Sequence, residues 1–338
     1  MQDLTKFKEE ILQPSKALVH DLSTLEGDIM ILGVGGKMGP SLAELAQKAL
    51  QAANKNNKVI GVARFSESNL QQSLEEQGIH TIKADLLEED QLQRLPDAKN
   101  IIFMAGTKFG TTGNESFTWA MNSYLPGRVA DRFKKSRIVA FSTGNVYPFV
   151  PIHSGGATEE TLPGPLGEYA QSCLGRERVL EHFSKKNQTP MVLYRLNYAV
   201  DFRYGVLLEI AKSVLEDREI DLSTGQANVI WQGDANEYAL RCLNLCSTPP
   251  RKLNITGPET VSVRWAAQEF GKLFDKDPQF INQEQSTALL SNASEAHQLF
   301  GYPQVSLKEM IRILATWLTQ GGETINKPTH FQERQGAF

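Results

Sequence analysis

A glycine-rich turn directly behind a short apolar strand constrains the fold more than any other feature of the sequence. Residues Asp28–Leu32 are predicted to form a buried strand, and a helix is predicted over about 38–54. The turn between them reads Gly-Val-Gly-Gly-Lys-Met-Gly, with Gly33, Gly36 and Gly39 spaced three apart. A strand, a glycine turn and a helix in this order are typical of the first βαβ unit of a parallel α/β sheet.

The three spaced glycines have distinct predicted roles in binding a dinucleotide. Gly33 permits the tight turn, Gly36 allows the backbone to approach a pyrophosphate, and Gly39 allows the helix to lie close to the strand. The N-terminus of the helix offers N–H groups and a partial positive charge to the phosphates. The cofactor-binding residues predicted in this turn are Gly33, Gly35, Gly36, Lys37, Met38 and Gly39.

Short apolar strands and helical segments alternate through the first 200 residues. The predicted strands are Asp28–Leu32, Lys58–Ala63, Ile79–Lys83, Asn100–Met104, Arg137–Ser142 and Met191–Leu196. Such alternation indicates a doubly wound parallel sheet. The fold class is therefore predicted to be α/β, a Rossmann domain with a smaller C-terminal substrate lobe.

Four parts of the chain are expected. Residues 1–27 form a helical arm with a break at Pro14, and residues 28–200 form the dinucleotide-binding Rossmann domain. Residues 201–320 form mainly the helix-rich, substrate-binding C-terminal lobe, and 321–338 form a tail that is loose or docks on a partner. The serines predicted to cap helices of the C-terminal lobe are Ser262, Ser291 and Ser306.

Charge and cysteine content narrow the class of protein. The net charge is −4, so the sequence lacks the basic field that nucleic-acid binding requires. Cys242 and Cys246 have no histidine nearby in the sequence with which to form a zinc site. No apolar run reaches the ~20 residues that span a bilayer. We therefore expect a cytoplasmic protein without a metal, a nucleic-acid partner or a membrane segment.

The end of the second strand bears on which dinucleotide binds. Sites for NAD usually place Asp or Glu at this point, where the carboxylate accepts hydrogen bonds from the ribose hydroxyls. Here the strand ends at Ala63 and is followed by Arg64. A guanidinium suits a 2′-phosphate, so the sequence predicts NADP in preference to NAD.

Several further motifs follow in order, and together they resemble those of the extended short-chain dehydrogenase/reductases, the NAD(P)-dependent epimerase/dehydratase family. The resemblance extends from about Asp28 to Leu318. The segment 141–147 reads Phe-Ser-Thr-Gly-Asn-Val-Tyr, and Tyr169 begins a helix that in the family reads Tyr-x-x-x-Lys. The other positions at which the resemblance implies cofactor contact are Asp85, Leu86, Met104, Ala105, Gly106 and Asn122.

The family resemblance implies a catalytic pair, Thr143 and Tyr169. The hydroxyl of Thr143 orients a substrate oxygen, and Tyr169 transfers a proton while the nicotinamide transfers a hydride. In the family, a lysine one turn later lowers the tyrosine pKa and holds the nicotinamide ribose. Cys173 stands at the place of that lysine, and a thiol cannot supply a positive charge.

Three interpretations of Cys173 remain open. The protein is an enzyme whose cation comes from elsewhere, for example from Arg176, two turns after Tyr169. Alternatively, Tyr169 works without a strong cation in a reaction that demands less of it. In the third, the chain is a non-catalytic dinucleotide-binding or regulatory protein of the same fold.

The resemblance also implies a substrate class and an oligomeric state. The expected activity is that of an epimerase, dehydratase or reductase acting on a sugar-like or hydroxylated carbonyl compound, such as a nucleotide sugar. A homodimer would pack through the predicted helices Phe117–Phe133 and Tyr169–Phe183. The residues expected to face the substrate are Lys108, Thr143, Asn145 and Asn197.

Overall fold

A seven-stranded parallel sheet forms the centre of the computed structural model, which describes residues 13–66, 68–108, 110–325 and 329–337. Its strands in chain order are β1 Ile29–Leu32, β2 Val59–Ala63, β3 His80–Lys83, β4 Asn100–Phe103, β5 Arg137–Thr143, β6 Met191–Leu196 and β7 Arg251–Ile255. Every residue of β1 and of β4 is buried, as expected for strands covered by helices on both faces.

The order of the strands in the sheet is β7-β6-β5-β4-β1-β2-β3. From β1 the chain moves outward through β2 and β3, then returns to β4 on the other side of β1 and continues to β7. The strand order therefore reverses between β1 and β4, and open α/β sheets bind ligands at the carboxyl ends of the strands at such a point. The predicted fold class is confirmed.

Helices cover both faces of the sheet and build the second lobe. They are α1 Lys16–Ser23, α2 Gly39–Ala52, α3 Ser68–Glu76, α4 Glu89–Gln93, α5 Glu115–Trp119, α6 Leu125–Arg132, α7 Gly167–Asn187, α8 Val206–Leu215, α9 Gln232–Arg241, α10 Val263–Phe274, α11 Ser294–Phe300 and α12 Leu307–Thr319. A π-helical turn, Ala120–Tyr124, joins α5 to α6, so the helix predicted over Phe117–Phe133 is a single rod with a widened turn in its middle. Within the described part of the chain, none of these helices combines the length and the apolar character needed to cross a bilayer.

The C-terminal lobe has its own apolar core. Phe270, Leu314 and Val214, from α10, α12 and α8, are buried in it. Pairs of two-residue strands border the lobe: Val150–Pro151 with Thr287–Ala288, Ala199–Val200 with Ile230–Trp231, Ile220–Asp221 with Phe280–Ile281, and Gln226–Ala227 with Val261–Ser262.

Part of the chain beyond residue 200 returns to the Rossmann sheet. The strand β7, Arg251–Ile255, pairs in parallel with β6 at the sheet edge. Helix α9 packs on α1 and α2, so the segment 232–255 contributes to the Rossmann half. The proposed boundary at residue 200 stays a prediction.

Both ends of the described chain are docked. Leu18 and Leu22 of α1 are buried, and Arg241 of α9 forms an ion pair with Asp21 at 2.7 Å. The helix predicted before Pro14 lies in residues 1–12, outside the described residues. In the tail, Phe331 is buried in the core of the C-terminal lobe.

Candidate active site

The glycine turn occupies the switch point between β1 and β4. Gly33 has a φ of +95°, and a Cβ built on it would lie 2.7 Å from the amide nitrogen of Ala105. At Gly39 a Cβ would lie 2.2 Å from the carbonyl oxygen of Val34, so only glycine allows this close packing of helix and strand. A Cβ built on Gly36 would lie 3.5 Å from its nearest neighbour, so the fold itself has room for a side chain there. A side chain at Gly36 would instead restrict how closely a ligand can approach the backbone from outside.

A cavity of about 260 Å³ lies beside the turn. It is lined by the ends of β1, β2 and β4 and by the residues that follow β3. The predicted cofactor-binding residues that line it are Gly33, Gly35, Gly36, Arg64, Asp85, Leu86, Met104, Ala105 and Gly106. Four separate segments therefore converge where a dinucleotide is expected.

Arg64 lies on the rim of this cavity, directly after β2. Its side chain is exposed, and Phe65 and Ser66 line the cavity beside it. Phe65 has a φ of +47°, an unusual conformation for a bulky residue, which turns the chain sharply at the end of the strand. None of these three residues is acidic.

Two other predicted cofactor residues are placed differently. The Lys37 ammonium lies 3.2 Å from the centroid of the Tyr204 ring, so this side chain contacts the segment just before α8. Asn122 is buried in the π-helical turn. It donates a hydrogen bond to the carbonyl of Thr107 (2.8 Å) and accepts one from the Thr107 amide (3.0 Å). Asn122 therefore fixes the backbone of the loop that follows β4.

Thr143 and Tyr169 meet, as the resemblance implies. Thr143 is the last residue of β5, and Tyr169 lies in the first turn of α7. Their side chains lie close enough for Thr143 to lower the pKa of Tyr169. Thr143 also donates to the Asn145 side-chain oxygen at 3.0 Å and accepts from the Asn145 amide at 3.2 Å, which fixes its hydroxyl.

Cys173 lies beside Tyr169, one helical turn further along α7. Its thiol is buried and lies next to the phenol. Burial raises the pKa of the Cys173 thiol and, together with the charge a thiolate would carry, raises the pKa of Tyr169 well above its usual value. Both groups are therefore protonated at neutral pH.

Arg176 is held beneath the cavity. Its guanidinium donates to the Phe141 carbonyl at 2.6 Å and to the side-chain and main-chain oxygens of Asn122 at 2.8 and 3.2 Å. A Cβ on Gly106 would lie 2.5 Å from this guanidinium, so only glycine fits above it. The charge of Arg176 lowers the pKa of Tyr169, but burial outweighs it.

Lys108 approaches Tyr169 from the loop after β4. Its Nζ lies 5.8 Å from the ring centroid of Tyr169 and 5.8 Å from that of Tyr198. Burial lowers the pKa of Lys108 to about 8, while Cys173 and Glu209 act in the opposite direction. Sequence reasoning missed Tyr198 and Glu209. A signal for Tyr198 is its position at the carboxyl end of β6, beside Asn197.

Two asparagines were expected to face the substrate. Asn145 is half-buried next to Thr143. Asn197 is buried behind Gly144 and donates weakly to the Leu289 carbonyl at 3.4 Å. Asn197 thus supports the turn that carries Asn145, and a substrate contact for either residue stays a prediction.

A buried ion pair positions α7 against the sheet. Glu177 of α7 pairs with Arg195 of β6 at 2.6 Å and accepts from Ser142 of β5 at 2.6 Å. Arg195 also donates to Tyr147 at 2.6 Å, and Tyr147 donates to Asn254 of β7. Removing one partner of such a buried pair costs about 3–5 kcal/mol. This network fixes the helix that carries Tyr169.

Residues 29–219, which contain the glycine turn, the Thr143–Tyr169 pair and Lys108, match the profile of the NAD dependent epimerase/dehydratase family. The chain belongs to this family. The resemblance found in the sequence is therefore confirmed. No curated protein sequence matches the chain significantly.

Solved structures of epimerases share the fold of this family member. The UDP-glucuronic acid 4-epimerase from Bacillus cereus, in complex with NAD, has a TM-score of 0.71 at 22% identity, over 87% of this chain and 99% of that chain. An epimerase from Methanothermobacter thermautotrophicus has a TM-score of 0.73 at 17% identity, over 90% and 96%. The UDP-glucose 4-epimerase from Thermotoga maritima, with UDP-glucose, has a TM-score of 0.70 at 14% identity, over 87% and 99%.

The residues of this family member fit a bound dinucleotide. The cradle at Gly33 and Gly36 admits a pyrophosphate close to the backbone, and the cavity continues past Met104 to Gly106. The Asp85 carboxylate accepts from the Leu87 amide at 3.0 Å, which orients it at the wall of the cavity. Helix α2 begins at the turn with its N-terminus towards the site.

Proposed function

We propose that the protein is an NADP-dependent oxidoreductase of the epimerase/dehydratase family that acts on a sugar or nucleotide sugar. The observation that supports this most is the proximity of the Thr143 and Tyr169 side chains. The pair joins the end of β5 to the first turn of α7, and β5 pairs with β4, whose end lines the dinucleotide cavity. Proton transfer at a substrate oxygen requires one group that orients the oxygen and, beside it, a second group that transfers the proton, and Thr143 and Tyr169 are such a pair.

Each residue of the pair has a defined task in this reaction. Thr143 binds and orients the reacting substrate oxygen with the hydroxyl that Asn145 fixes. Tyr169, whose pKa is raised by burial, is protonated at neutral pH and donates its proton to a carbonyl oxygen. The bound dinucleotide supplies or accepts the hydride. Tyr169 takes the proton back when the reaction runs in the oxidative direction.

The preference for NADP is proposed from the end of β2. Arg64 lies on the cavity rim, where a guanidinium can pair with a 2′-phosphate. The next two residues, Phe65 and Ser66, supply no carboxylate for the ribose hydroxyls, and Glu67, which follows them, lies outside the described residues.

A nucleotide-sugar substrate is proposed from the chemistry of the cleft and from structural relatives. Lys108 and Tyr198 supply an ammonium and an aromatic face beside Tyr169. Such a set suits a hydroxylated, anionic compound. Proteins of the same fold were solved with UDP-glucuronic acid and with UDP-glucose.

We propose that the protein forms a homodimer through one face, which is formed by α5, the π-helical turn, α6 and α7. Trp119 and Tyr124 are exposed there, and with Val179 and Phe183 of α7 they line a groove. A second copy related by a two-fold axis would bring the same aromatic residues from both chains together.

A non-catalytic dinucleotide-binding protein is the second candidate, and Cys173 is the observation that favours it. The thiol leaves the phenol without the adjacent ammonium of the family, and the pKa of Tyr169 is accordingly high. The two candidates agree on the cofactor and differ in whether Tyr169 transfers a proton.

Replacing Tyr169 with Phe distinguishes the two candidates. The parent protein and Tyr169→Phe are incubated with NADP⁺ or NAD⁺ and with UDP-glucose or UDP-glucuronic acid. Nicotinamide absorbance and chromatography of the sugars report turnover, and fluorescence reports dinucleotide affinity. We expect Tyr169→Phe to lower kcat by about 100-fold or more and to leave dinucleotide affinity unchanged. Tyr302→Phe, at a distant exposed tyrosine, is the control. Dinucleotide binding by the parent without turnover of either sugar favours the non-catalytic candidate.

A further inference from the structure

The chain lacks a cation at the position from which the family supplies one. The family's helix lysine lowers the pKa of the tyrosine and holds the nicotinamide ribose. In this chain Cys173 occupies that position, and its thiol is neutral and buried. Proton transfer by Tyr169 therefore calls for a cation from another element.

Two cations lie near Tyr169, one below Gly106 and one in the loop after β4. Arg176 uses three N–H groups on Asn122 and Phe141 and lies below Gly106, on the protein side of the cavity floor. Lys108 is half-buried in the loop after β4, with its Nζ 5.8 Å from the Tyr169 ring centroid. This distance lies within the ~6 Å range over which an ammonium and an aromatic ring attract each other.

The backbone that carries Lys108 is held in place. The preceding residue, Thr107, is bound through both its amide and its carbonyl to the side chain of Asn122. Asn122 itself lies in the π-helical turn and also donates to Ser172 of α7 at 3.0 Å. The loop after β4 is thereby tied to the helix of Tyr169, and the approach of Lys108 is built into the fold.

We propose that Lys108 replaces the helix lysine of the family and supplies, from the loop after β4, the ammonium that assists Tyr169 and holds the nicotinamide ribose. This inference rests on the proposed function, because it assigns a task within the same reaction. Among the interpretations of Cys173, it selects a cation from elsewhere, with Lys108 in the loop after β4 acting in addition to the buried charge of Arg176, which lowers the pKa of Tyr169.

The charges around Lys108 determine the pH at which it works. Tyr169 and Cys173 face it from α7, Tyr198 from the end of β6, and Glu209 from α8. Burial lowers the pKa of Lys108 to about 8. The ammonium is therefore present below that pH and is lost as the pH rises through about 8.

The proton balance of the reductive direction follows from this placement. Tyr169 donates its phenolic proton to the carbonyl oxygen while the carbonyl carbon accepts a hydride from the reduced dinucleotide. The phenolate, which the ammonium of Lys108 stabilises, then regains a proton from water. One hydride and one proton have converted the carbonyl group to an alcohol.

Titration of NADPH across pH 6.5–9 tests the proposal without turnover. In the parent protein, affinity should fall about tenfold as the pH rises through 8, because the ribose loses a charged hydrogen bond. Lys108→Met should bind about tenfold more weakly than the parent below pH 8 and show no such fall. Lys108→Arg should bind tightly without the fall, because a guanidinium stays charged.

A charge at position 173 distinguishes an electrostatic role from a structural one. Adding Cys173→Lys to Lys108→Met should restore tight binding, because the ammonium returns to the helix position. Lys185→Met, at the exposed far end of α7, should behave like the parent. An unchanged NADPH affinity and an unchanged pH profile in Lys108→Met would overturn the proposal. So would a loss of NADPH affinity in Lys108→Met that is absent neither from Lys108→Arg nor from the double variant with Cys173→Lys. Absence of NADPH binding in the parent would overturn the proposed function together with this inference.

Discussion

At the scale of single residues, Arg64 decides which dinucleotide the site prefers. It follows β2 directly, lies on the rim of the cavity and is exposed. We expect the parent protein to bind NADP more tightly than NAD, and Arg64→Asp to weaken NADP binding by about tenfold or more and reverse the preference. Titration of both dinucleotides against both proteins measures this. The control is Arg94→Asp, at another exposed arginine. A parent protein that binds NAD as tightly as NADP would exclude this role of Arg64.

Single residues also show what the sequence can and cannot predict about the site. Thr143 and Tyr169 could be paired in advance, because the family resemblance implies that these two residues act together. The approach of Lys108 to Tyr198 could not, since these residues are distant in sequence and come together only in the folded chain. The contact of Lys37 with Tyr204 could not be predicted from the sequence for the same reason.

At the scale of elements, helix ends were predictable where a local hydrogen bond sets them. Ser262 and Ser306 accept from the amides of Trp265 and Glu309, as predicted for N-caps. The predicted cap at Ser291 is wrong, because Ser291 forms a bridge with Ala157 and α11 begins three residues later, at Ser294. A serine is a cap only if its backbone is free to begin a helix, and that depends on distant partners.

The exposed face of α5, α6 and α7 carries a prediction about assembly. Tyr124 is 61% exposed beside Trp119, and we expect this face to bind the same face of a second copy of the chain. Tyr124→Glu should place two carboxylates in the interface, where their repulsion and desolvation convert the dimer to a monomer. Light scattering at micromolar concentration measures the mass. The control is Tyr302→Glu, at a tyrosine 73% exposed just after α11, which should remain a dimer. A monomeric parent protein would contradict the assignment.

At the scale of the whole molecule, the sheet was predictable up to its sixth strand. Strands β1 to β6 are apolar runs separated by helices, and each lies within a few residues of its predicted range. The seventh, Arg251–Ile255, reaches the sheet only after the chain has passed through the C-terminal lobe. A local sequence pattern is enough to identify a strand. Which strand it pairs with, across more than 50 residues of chain, depends on which apolar faces the rest of the fold leaves uncovered. For that reason the sequence did not assign the segment 232–255 to the Rossmann half.

The central claim is that a dinucleotide lies against the glycine turn, and Gly36→Asp tests it most directly. The new carboxylate would stand where the backbone must meet the pyrophosphate, and the nearest atom, 3.5 Å away, leaves room for it in the fold. Gln51→Asp adds the same charge at the other end of α2 and serves as the control. We predict that NADPH binding, measured by fluorescence, is lost in Gly36→Asp and retained in Gln51→Asp, while both variants melt close to the parent protein. Unchanged NADPH affinity in a folded Gly36→Asp variant would contradict the account.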